Sequence, residues 1–379
     1  MTLCAINHPL ATPANPAHNL SSPMRWLRLL GILLALAFLF LLGAFCTFRA
    51  VGRKHARELE TRLATLPDPA ANTPYPKFFF QRGVNFTAEF PAFYGNDAAV
   101  EMLKKLPAHG INSIALVPYG FASTKEPKVR GWNTRWEGDA GITQLARVAH
   151  SLGMKVLLKP QLWMHGGNPA NINFPGVAEN SEWFTQYQPF LEHYAQLASA
   201  IHADVFCIGV ELEKMSGNES AWRKLIARAR EIYPGPLTYA ANFGAEFESI
   251  KFWDALDYIG IDEYYPLPDD LSTAAVLAKI SSVQSRFQKP VLFTEAGFPS
   301  VAEANRAPWD DPSRPVDLEI QAKGYGALLS AFYEKPWFAG VYWWKVGTNG
   351  YGGPTDSSHT PWNKPAMQSI EHWYRSGKR

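Results

Sequence analysis

The stretch DVFCIGVE, at residues 204–211, has six apolar or small residues in a row between two acids. Apolar side chains at both odd and even positions predict a strand that is buried on both faces, as in a parallel sheet covered by helices. The stretch PVLFTEAGF, at 290–298, likewise runs from a buried-strand pattern into a glutamate. Either both glutamates are solvated at strand ends, or they belong to a common site.

Runs of this kind alternate with amphipathic helical runs from residue 77 onward. The eight predicted strands are KFFFQRGVNF (77–86), NSIALVPY (112–119), MKVLLKPQ (154–161), DVFCIGVE (204–211), PLTYAAN (236–242), DYIGIDEY (257–264), PVLFTEAGF (290–298) and FAGVYWWK (338–345). The predicted helices start at Asp97, Asp139 and Ser181 or span 219–233, 247–256, 271–288, 316–334 and 363–376. An open doubly wound sheet also alternates in this way, but no Gly-rich phosphate loop follows the first strand. Eight repeats therefore predict an α/β fold, a closed (β/α)8 TIM barrel over 77–379.

The N-terminal part of the chain has a different composition. Residues 29–48, LLGILLALAFLFLLGAFCTF, carry no charge. About twenty helical residues at ~1.5 Å rise each match a ~30 Å hydrocarbon core. We therefore predict an N-terminal segment (1–28), a transmembrane helix or uncleaved signal anchor (29–48) and a stalk and linker (49–76). This arrangement predicts attachment to a membrane through the N-terminal helix. We expect the large domain outside the cytoplasm, in the periplasm or extracellular space, although the basic residues after the apolar run favour the opposite orientation by the positive-inside rule, so the side of the membrane stays open.

Composition excludes several functional classes. The net charge of +2 gives no electrostatic basis for binding nucleic acid. The three cysteines, Cys4, Cys46 and Cys207, have no metal-ligand or CxxC spacing, and Cys207 fits a buried thiol inside a strand. Thirteen Trp and 15 Tyr are enough to supply both core and sugar-stacking surfaces. The oligomeric state is not set by any of these features.

Polar and aromatic residues close most of the predicted strands. They are Asn85, Tyr119, Lys159, Gln161, Glu211, Asn242, Asp262, Glu263, Tyr264, Glu295, Trp343 and Trp344. In a (β/α)8 barrel these strand ends surround one mouth, where active sites lie. The ring contains acids, amides and aromatics but no clustered histidine, and the chain has no G-x-S-x-G elbow. Metal-dependent hydrolysis and serine chemistry are therefore disfavoured.

Glu211 and Glu295 close the fourth and seventh predicted strands, which nearly face each other across an eight-stranded barrel. Carboxyl groups at these ends can approach to ~5 Å, the separation found in retaining glycosidases. Such a pair needs unlike environments, because one acid must be protonated while the other is ionised. The pattern is consistent with this chemistry, and spacing alone does not decide it.

Several stretches resemble glycoside hydrolase family 113 of clan A, whose known members are endo-β-1,4-mannanases. The stretches are MKVLLKPQLW, DVFCIGVELEK, GPLTYAANF, FWDALDYIGIDEYYPL, KPVLFTEAGFPSV and PWFAGVYWWK, with NKPA further on. They lie between residues 154 and 366, and the resemblance they indicate extends over nearly all of 78–376. The resemblance implies a retaining β-glycoside hydrolase that cleaves a β-linked polysaccharide or oligosaccharide by a two-glutamate double displacement. It implies that Glu211 is the general acid/base and Glu295 the nucleophile.

The resemblance also implies residues that bind the substrate. Tyr264 corresponds to a donor to the nucleophile carboxylate, and Trp344 to a platform for the sugar. Further implied positions in the pocket are Asn85, Lys159, Gln161, Asn242 and Asp262. No cofactor and no metal are implied.

This chain departs from the family pattern at two positions near the implied site. Val210 stands where the family usually has Thr, and Glu263 stands where relatives often have Ala. Long loops rich in Gly and Asn, at 161–176 and 348–359, follow the third and eighth strands, and loops there define subsites in this fold. Two alternatives stay open: a catalytically silent, membrane-anchored barrel that binds a glycan, and a β-glycosidase that acts on a different β-glycan.

Overall fold

The computed structural model describes residues 23–70, 73–310 and 313–376. The chain divides into two units, Met1–Glu58 and Leu59–Arg379. The helix α1 (Pro23–Thr65) begins in the first unit and ends in the second. In the first unit, the side chains at positions 30–43 are exposed.

The described residues of the second unit include ten strands. In chain order they are β1 (Gln81–Thr87), β2 (Ser113–Leu116), β3 (Tyr119–Phe121), β4 (Lys155–Leu158), β5 (Gln161–Trp163), β6 (Val205–Val210), β7 (Leu237–Asn242), β8 (Ile259–Glu263), β9 (Val291–Ala296) and β10 (Phe338–Gly347). Eight of them form a closed barrel in the order β1-β10-β9-β8-β7-β6-β4-β2, and every pairing is parallel. The other two, β3 and β5, pair with each other above the ends of β2 and β4.

Helices connect the barrel strands and cover their outer face. They are α2 (Asp97–Lys105), α3 (Asp139–Ser151), α4 (Val177–Ala200), α5 (Glu213–Ser216), α6 (Glu219–Ile232), α7 (Ala245–Ser249), α8 (Ala274–Phe287), α9 (Leu318–Phe332) and α10 (Pro365–Tyr374). Short 3-10 helices lie at Leu106–His109, Pro169–Asn171, Trp253–Ala255 and Ala304–Arg306.

The core has two layers, one on each side of the barrel wall. Along β6, Val205 and Cys207 belong to the cluster inside the barrel, whereas Phe206 and Ile208 belong to the cluster between strands and helices. All four are fully buried. The period-2 alternation of a strand explains this division, because successive side chains point to opposite faces of the sheet. The double burial predicted for 204–211 is confirmed.

The predicted (β/α)8 barrel is confirmed, and each of the eight predicted strands overlaps one barrel strand. Helix starts differ by a few residues where backbone conformation decides them. The helix predicted from Ser181 begins at Val177, directly after Gly176 in an extended conformation. The helix predicted from residue 271 begins at Ala274, because Leu271 has a φ of 56° and cannot belong to a right-handed helix.

The structure does not support the predictions for the N-terminal part of the chain in the same way. Of the predicted segment 1–28, residues 1–22 lie outside the described residues. Residues 29–48 are helical within α1, but no helix of the described residues is long and apolar enough to cross a membrane. The predicted transmembrane helix is therefore unsupported. The placement of the domain outside the cytoplasm stays a prediction.

The predicted stalk already contributes contacts to the second unit. Arg62, near the end of α1, forms an ion pair with Asp97 at the start of α2. Arg147 on α3 donates to the main-chain oxygens of Leu63 and Leu66, at 2.7 and 3.1 Å. The packed part of the second unit thus begins before residue 77.

We predict that Gly340→Ala strongly destabilises the barrel. Gly340 lies where β10 pairs with β1 and β9, has a φ of +125°, and a Cβ there would lie 2.0 Å from the Gln81 oxygen. Both the strain and the clash oppose folding, so we expect a loss of roughly 3 kcal/mol or more in the free energy of unfolding. Chemical denaturation followed by circular dichroism measures this loss.

The control is Gly326→Ala in α9, where a Cβ would have no atom within 4 Å. This change should be neutral or stabilising by about 0.5–1 kcal/mol, because alanine loses less backbone entropy in a helix. Equal effects of the two substitutions would contradict the assignment of Gly340 as a close-approach position.

Candidate active site

The C-terminal ends of the barrel strands surround a cleft of about 380 Å³. Six of the nine predicted site residues line it: Gln161, Glu211, Asn242, Tyr264, Glu295 and Trp344. The other three, Asn85, Lys159 and Asp262, are fully buried and do not line it. The structure thus brings the predicted residues together in two groups: six face the cleft and three are buried and do not face it.

Glu295 is the most extensively bonded carboxyl of the cleft. It is the penultimate residue of β9 and is 7% exposed. Its Oε1 accepts hydrogen bonds from the Lys159 ammonium and, at 2.8 Å, from Gln161 Nε2. Its Oε2 accepts from the Tyr264 hydroxyl at 2.9 Å. Three donors, one of them charged, hold both oxygens in place.

Lys159 and Gln161 owe their positions to the way β4 ends. The chain leaves β4, passes Pro160 and re-pairs as β5, with the Gln161 N–H donating to the Pro118 oxygen at 2.9 Å. Burial lowers the pKa of the Lys159 ammonium, but the neighbouring Glu295 and Asp262 carboxyls outweigh burial and leave the pKa raised. Lys159 Nζ also lies 5.3 Å from the centre of the Trp344 ring. Lys159 is therefore charged and bound to Glu295.

Glu211 has a different environment. It follows β6 with a left-handed φ of 49°, and its N–H donates to the Ala240 oxygen at 2.8 Å. Within the described part of the chain, no group donates a hydrogen bond to its carboxyl. Burial, followed by the charges of Glu295 and Glu246, raises the pKa of Glu211 to about 8. This carboxyl therefore keeps its proton at neutral pH.

Asn85 and Asp262 lie inside the barrel beneath the cleft. Asn85 Nδ2 donates to the main-chain oxygens of Thr294 and Tyr342, both at 3.1 Å. Asp262 Oδ1 accepts from the Thr294 hydroxyl at 2.7 Å. Burial, then Glu295, raises the pKa of Asp262 well above its ordinary value. Both side chains are engaged with the strand that carries Glu295, so their placement supports that strand.

The cleft also contains residues that the sequence did not single out. They are Asn168, Phe243, Trp309 and His359. Asn168 and His359 belong to the two long loops at 161–176 and 348–359, which were expected to define subsites. Phe243 and Trp309 come from the loops after β7 and β9, and their rings stack at 5.3 Å with an interplanar angle of 29°. The sequence signal that could have found this pair is a Trp in the segment between the seventh predicted strand and the helix after it.

Comparison with known families identifies the chain. The model of Glycoside Hydrolase Family 113 matches residues 86–362. The chain belongs to glycoside hydrolase family 113. It is therefore an O-glycosyl hydrolase of the retaining, clan A type, and the resemblance seen in the sequence is confirmed.

Solved structures of family 113 have the same fold. A β-1,4-mannanase of the family, solved as a complex, has 27% sequence identity and a TM-score of 0.73, with 79% of this chain and 100% of that chain covered. The β-mannanase AaManA from Alicyclobacillus acidocaldarius, in complex with ManMIm, has 29% identity and a TM-score of 0.72, with 80% and 98% covered. Among curated proteins, no sequence matches this chain.

Glu263, one of the departures from the family pattern, is buried at the end of β8 and does not line the cleft. Among the described residues, its Oε1 has no hydrogen-bond partner. Burial raises the pKa of Glu263 from 4.5 to about 8. The folded chain therefore holds this proton to higher pH than the unfolded chain, and stability falls as the pH rises from about 4.5 to about 8.

We predict that Glu263→Gln stabilises the family 113 barrel at alkaline pH. The amide cannot ionise, so the variant avoids the loss that the carboxyl imposes. We expect a gain of roughly 1–3 kcal/mol in the free energy of unfolding at pH above 8 and almost none near pH 4.5. Urea denaturation at a series of pH values measures both. The matched control is Glu182→Gln on the exposed face of α4, and a pH-independent gain in Glu263→Gln would contradict the explanation.

Proposed function

We propose that this protein is a retaining β-glycoside hydrolase that cleaves a β-1,4-mannan or a closely related β-linked polysaccharide or oligosaccharide. The observation that carries the proposal is the contrast between two carboxyls in one cleft. Glu295 accepts three hydrogen bonds, whereas Glu211 accepts none from the described residues and has a pKa raised to about 8. Double displacement requires such a pair, with one acid ionised and the other protonated. The mannanase names of the related structures support the choice of sugar.

In the first step, Glu295 attacks the anomeric carbon and forms a glycosyl-enzyme. Its two oxygens are fixed by Lys159, Gln161 and Tyr264, so the attacking atom needs little reorganisation. The Trp344 indole lines the cleft beside them and offers a flat surface to the sugar ring.

Glu211 supplies the proton in the first step and removes one in the second. It donates its proton to the departing glycosidic oxygen as Glu295 attacks. Formation of the ester removes the negative charge of Glu295, which is one cause of the raised pKa of Glu211. The pKa of Glu211 then falls, so the carboxylate acts as the base that activates water.

The substrate class bears on where the domain acts. A polysaccharide does not cross a membrane unaided, so the proposal favours a location outside the cytoplasm, in the periplasm or extracellular space.

We expect Glu211→Ala and Glu295→Ala each to lower hydrolysis of manno-oligosaccharides by about 10²-fold or more. Azide and an activated aryl glycoside separate the two roles. In Glu295→Ala, azide attacks directly from the vacated side and should yield the inverted α-glycosyl azide. In Glu211→Ala, azide attacks the glycosyl-enzyme and should yield the retained β-glycosyl azide. Nuclear magnetic resonance of the products distinguishes the anomers.

The opposite pairing of anomers would reverse the two roles. Full activity in either variant would overturn the mechanism. If the wild-type chain binds β-linked oligosaccharides without hydrolysing any of them, the alternative of a silent glycan-binding barrel replaces the proposal.

The Phe243–Trp309 stack favours a substrate with several sugar units. Trp309 is 51% exposed, lines the cleft with both glutamates and is supported from below by Phe243. A pre-stacked, half-exposed indole suits contact with the apolar face of a pyranose beyond the bond that is cleaved. This arrangement supports action within a chain.

We predict that Trp309→Ala lowers kcat/KM for manno-hexaose by about 2- to 12-fold, as expected for the loss of one stacking contact. An aryl mannobioside has fewer sugar units to place on the platform, so its kcat/KM should fall less than that of manno-hexaose. Trp136→Ala is the matched control, because Trp136 is 42% exposed but does not line the cleft. Equal losses on both substrates would contradict the role of Trp309.

A further inference from the structure

A buried tyrosine–glutamate pair lies behind Glu211, on the outer side of the barrel wall. The Tyr239 ring packs against Trp222 and Phe252, with centroid distances of 5.1 and 5.7 Å, so it faces the helix layer. Glu246, in the first turn of α7, is 1% exposed. Neither residue lines the cleft, and the mechanism above does not use them.

The pair joins the loop after β6 to the loop after β7. The Tyr239 hydroxyl accepts a hydrogen bond from the Leu212 N–H at 2.9 Å and donates one to Glu246 Oε1 at 2.6 Å. Glu246 Oε2 accepts from the Asn242 N–H at 2.7 Å. The Glu246 carboxyl therefore links two loops: it bonds directly to the main chain of Asn242 and, through the Tyr239 hydroxyl, to the main chain of Leu212, next to Glu211.

The conformation of Glu211 explains why such a tie is needed. A non-glycine residue with a φ of 49° is strained and persists only when its surroundings hold it. Two main-chain N–H groups secure it: that of Glu211 bonds to Ala240, and that of Leu212 bonds to Tyr239. The second bond fixes the peptide unit on the C-terminal side of Glu211, and so the direction of its carboxyl.

We infer that Tyr239 and Glu246 are positioning residues, which hold Glu211 in the left-handed conformation that directs its carboxyl into the cleft. This inference rests on the proposed role of Glu211 as acid/base. Neither residue contacts the substrate or the reacting atoms.

Charge provides a second link between Glu246 and Glu211. The groups that influence the pKa of Glu211 are Glu295 on β9, Glu246 on α7, Glu213 on α5 and Lys159 after β4, and Glu211 also interacts with Asp262 on β8. Burial raises the pKa of Glu246 itself to about 8, against hydrogen bonds from Tyr239, Asn242 and Ser216. As the pH rises past this value, Glu246 becomes charged and helps Glu211 to keep its proton.

The experiment compares full-length Tyr239→Phe, Glu246→Gln and Tyr187→Phe. Tyr187→Phe is the matched control, because its hydroxyl donates to the Ile208 oxygen of β6 at 2.8 Å and has no contact with Glu211 or Leu212. Each variant is assayed on a manno-oligosaccharide and on a 2,4-dinitrophenyl mannoside. The second substrate needs no protonation of its leaving group, so it bypasses the acid.

For Tyr239→Phe we expect a loss of roughly tenfold or more in kcat on the oligosaccharide, with KM nearly unchanged. The kcat/KM for the dinitrophenyl substrate should stay at the wild-type value. For Glu246→Gln, the alkaline limb of the kcat/KM profile on the oligosaccharide should shift to lower pH, because a neutral amide no longer opposes ionisation of Glu211. Tyr187→Phe should change neither quantity.

A purely structural role gives a different pattern. Equal losses on both substrates, or a loss in Tyr239→Phe that merely matches that of Tyr187→Phe, would overturn the inference. An unshifted pH profile in Glu246→Gln would overturn the link through charge.

A direct titration keeps this inference separate from the proposed function. With glutamate labelled with ¹³C at its carboxyl, the Glu211 signal is identified by its absence in Glu211→Gln. A lower titration midpoint in Glu246→Gln supports the link through charge even if the wild-type chain hydrolyses no β-mannoside, a result that would overturn only the proposed function. An unchanged midpoint overturns the link through charge whatever the activity.

Discussion

A closed parallel barrel leaves its strands no face in contact with water. Helices cover the outer surface and side chains fill the interior, so a polar group on a strand must be paired inside the fold or lie where the strand ends. This constraint explains why Cys207, in the middle of β6, is a buried thiol, while Glu211 and Glu295 stand at strand ends. It also brings Lys159, Glu211, Asp262 and Glu295, from the ends of β4, β6, β8 and β9, close enough that each changes the proton affinity of its neighbours.

The two acids at the mouth differ in their environments because the surrounding elements provide them with different hydrogen-bond donors. Glu295 receives donors from the re-paired end of β4 and from the residue after β8, whereas Glu211 borders Val210 and is served by none of the described residues. The difference arises from main-chain geometry as much as from side-chain identity. β5 exists because the chain re-pairs after Pro160, and the conformation of Glu211 depends on hydrogen bonds made by β7 residues.

The barrel and the two glutamates were predictable because their signals are local. A strand buried on both faces is a contiguous apolar run, and the residue that closes it can be read directly from the chain. The partners were not predictable. Lys159 and Glu295 are 136 positions apart, and the local sequence KPQ at 159–161 does not indicate which acid Lys159 binds. Glu246, in the first turn of a short helix, has the pattern of a solvated residue, yet three-dimensional packing buries it. The N-terminal apolar run predicted a membrane helix that the described residues do not support.

If Glu295 is the nucleophile, as proposed, its ion pair with Lys159 affects the lifetime of the covalent intermediate. Esterification of Glu295 removes the counter-ion of an ammonium that has no access to water. Lys159 would then keep only the neighbouring Asp262 as a source of opposing charge, and a buried cation that has lost its ion-pair partner is costly, so the ester would be raised in energy relative to the free enzyme. Hydrolysis regenerates the carboxylate and restores the pair. The buried ion pair thus shortens the lifetime of the covalent intermediate, because the free energy that the first displacement costs is recovered when the sugar leaves.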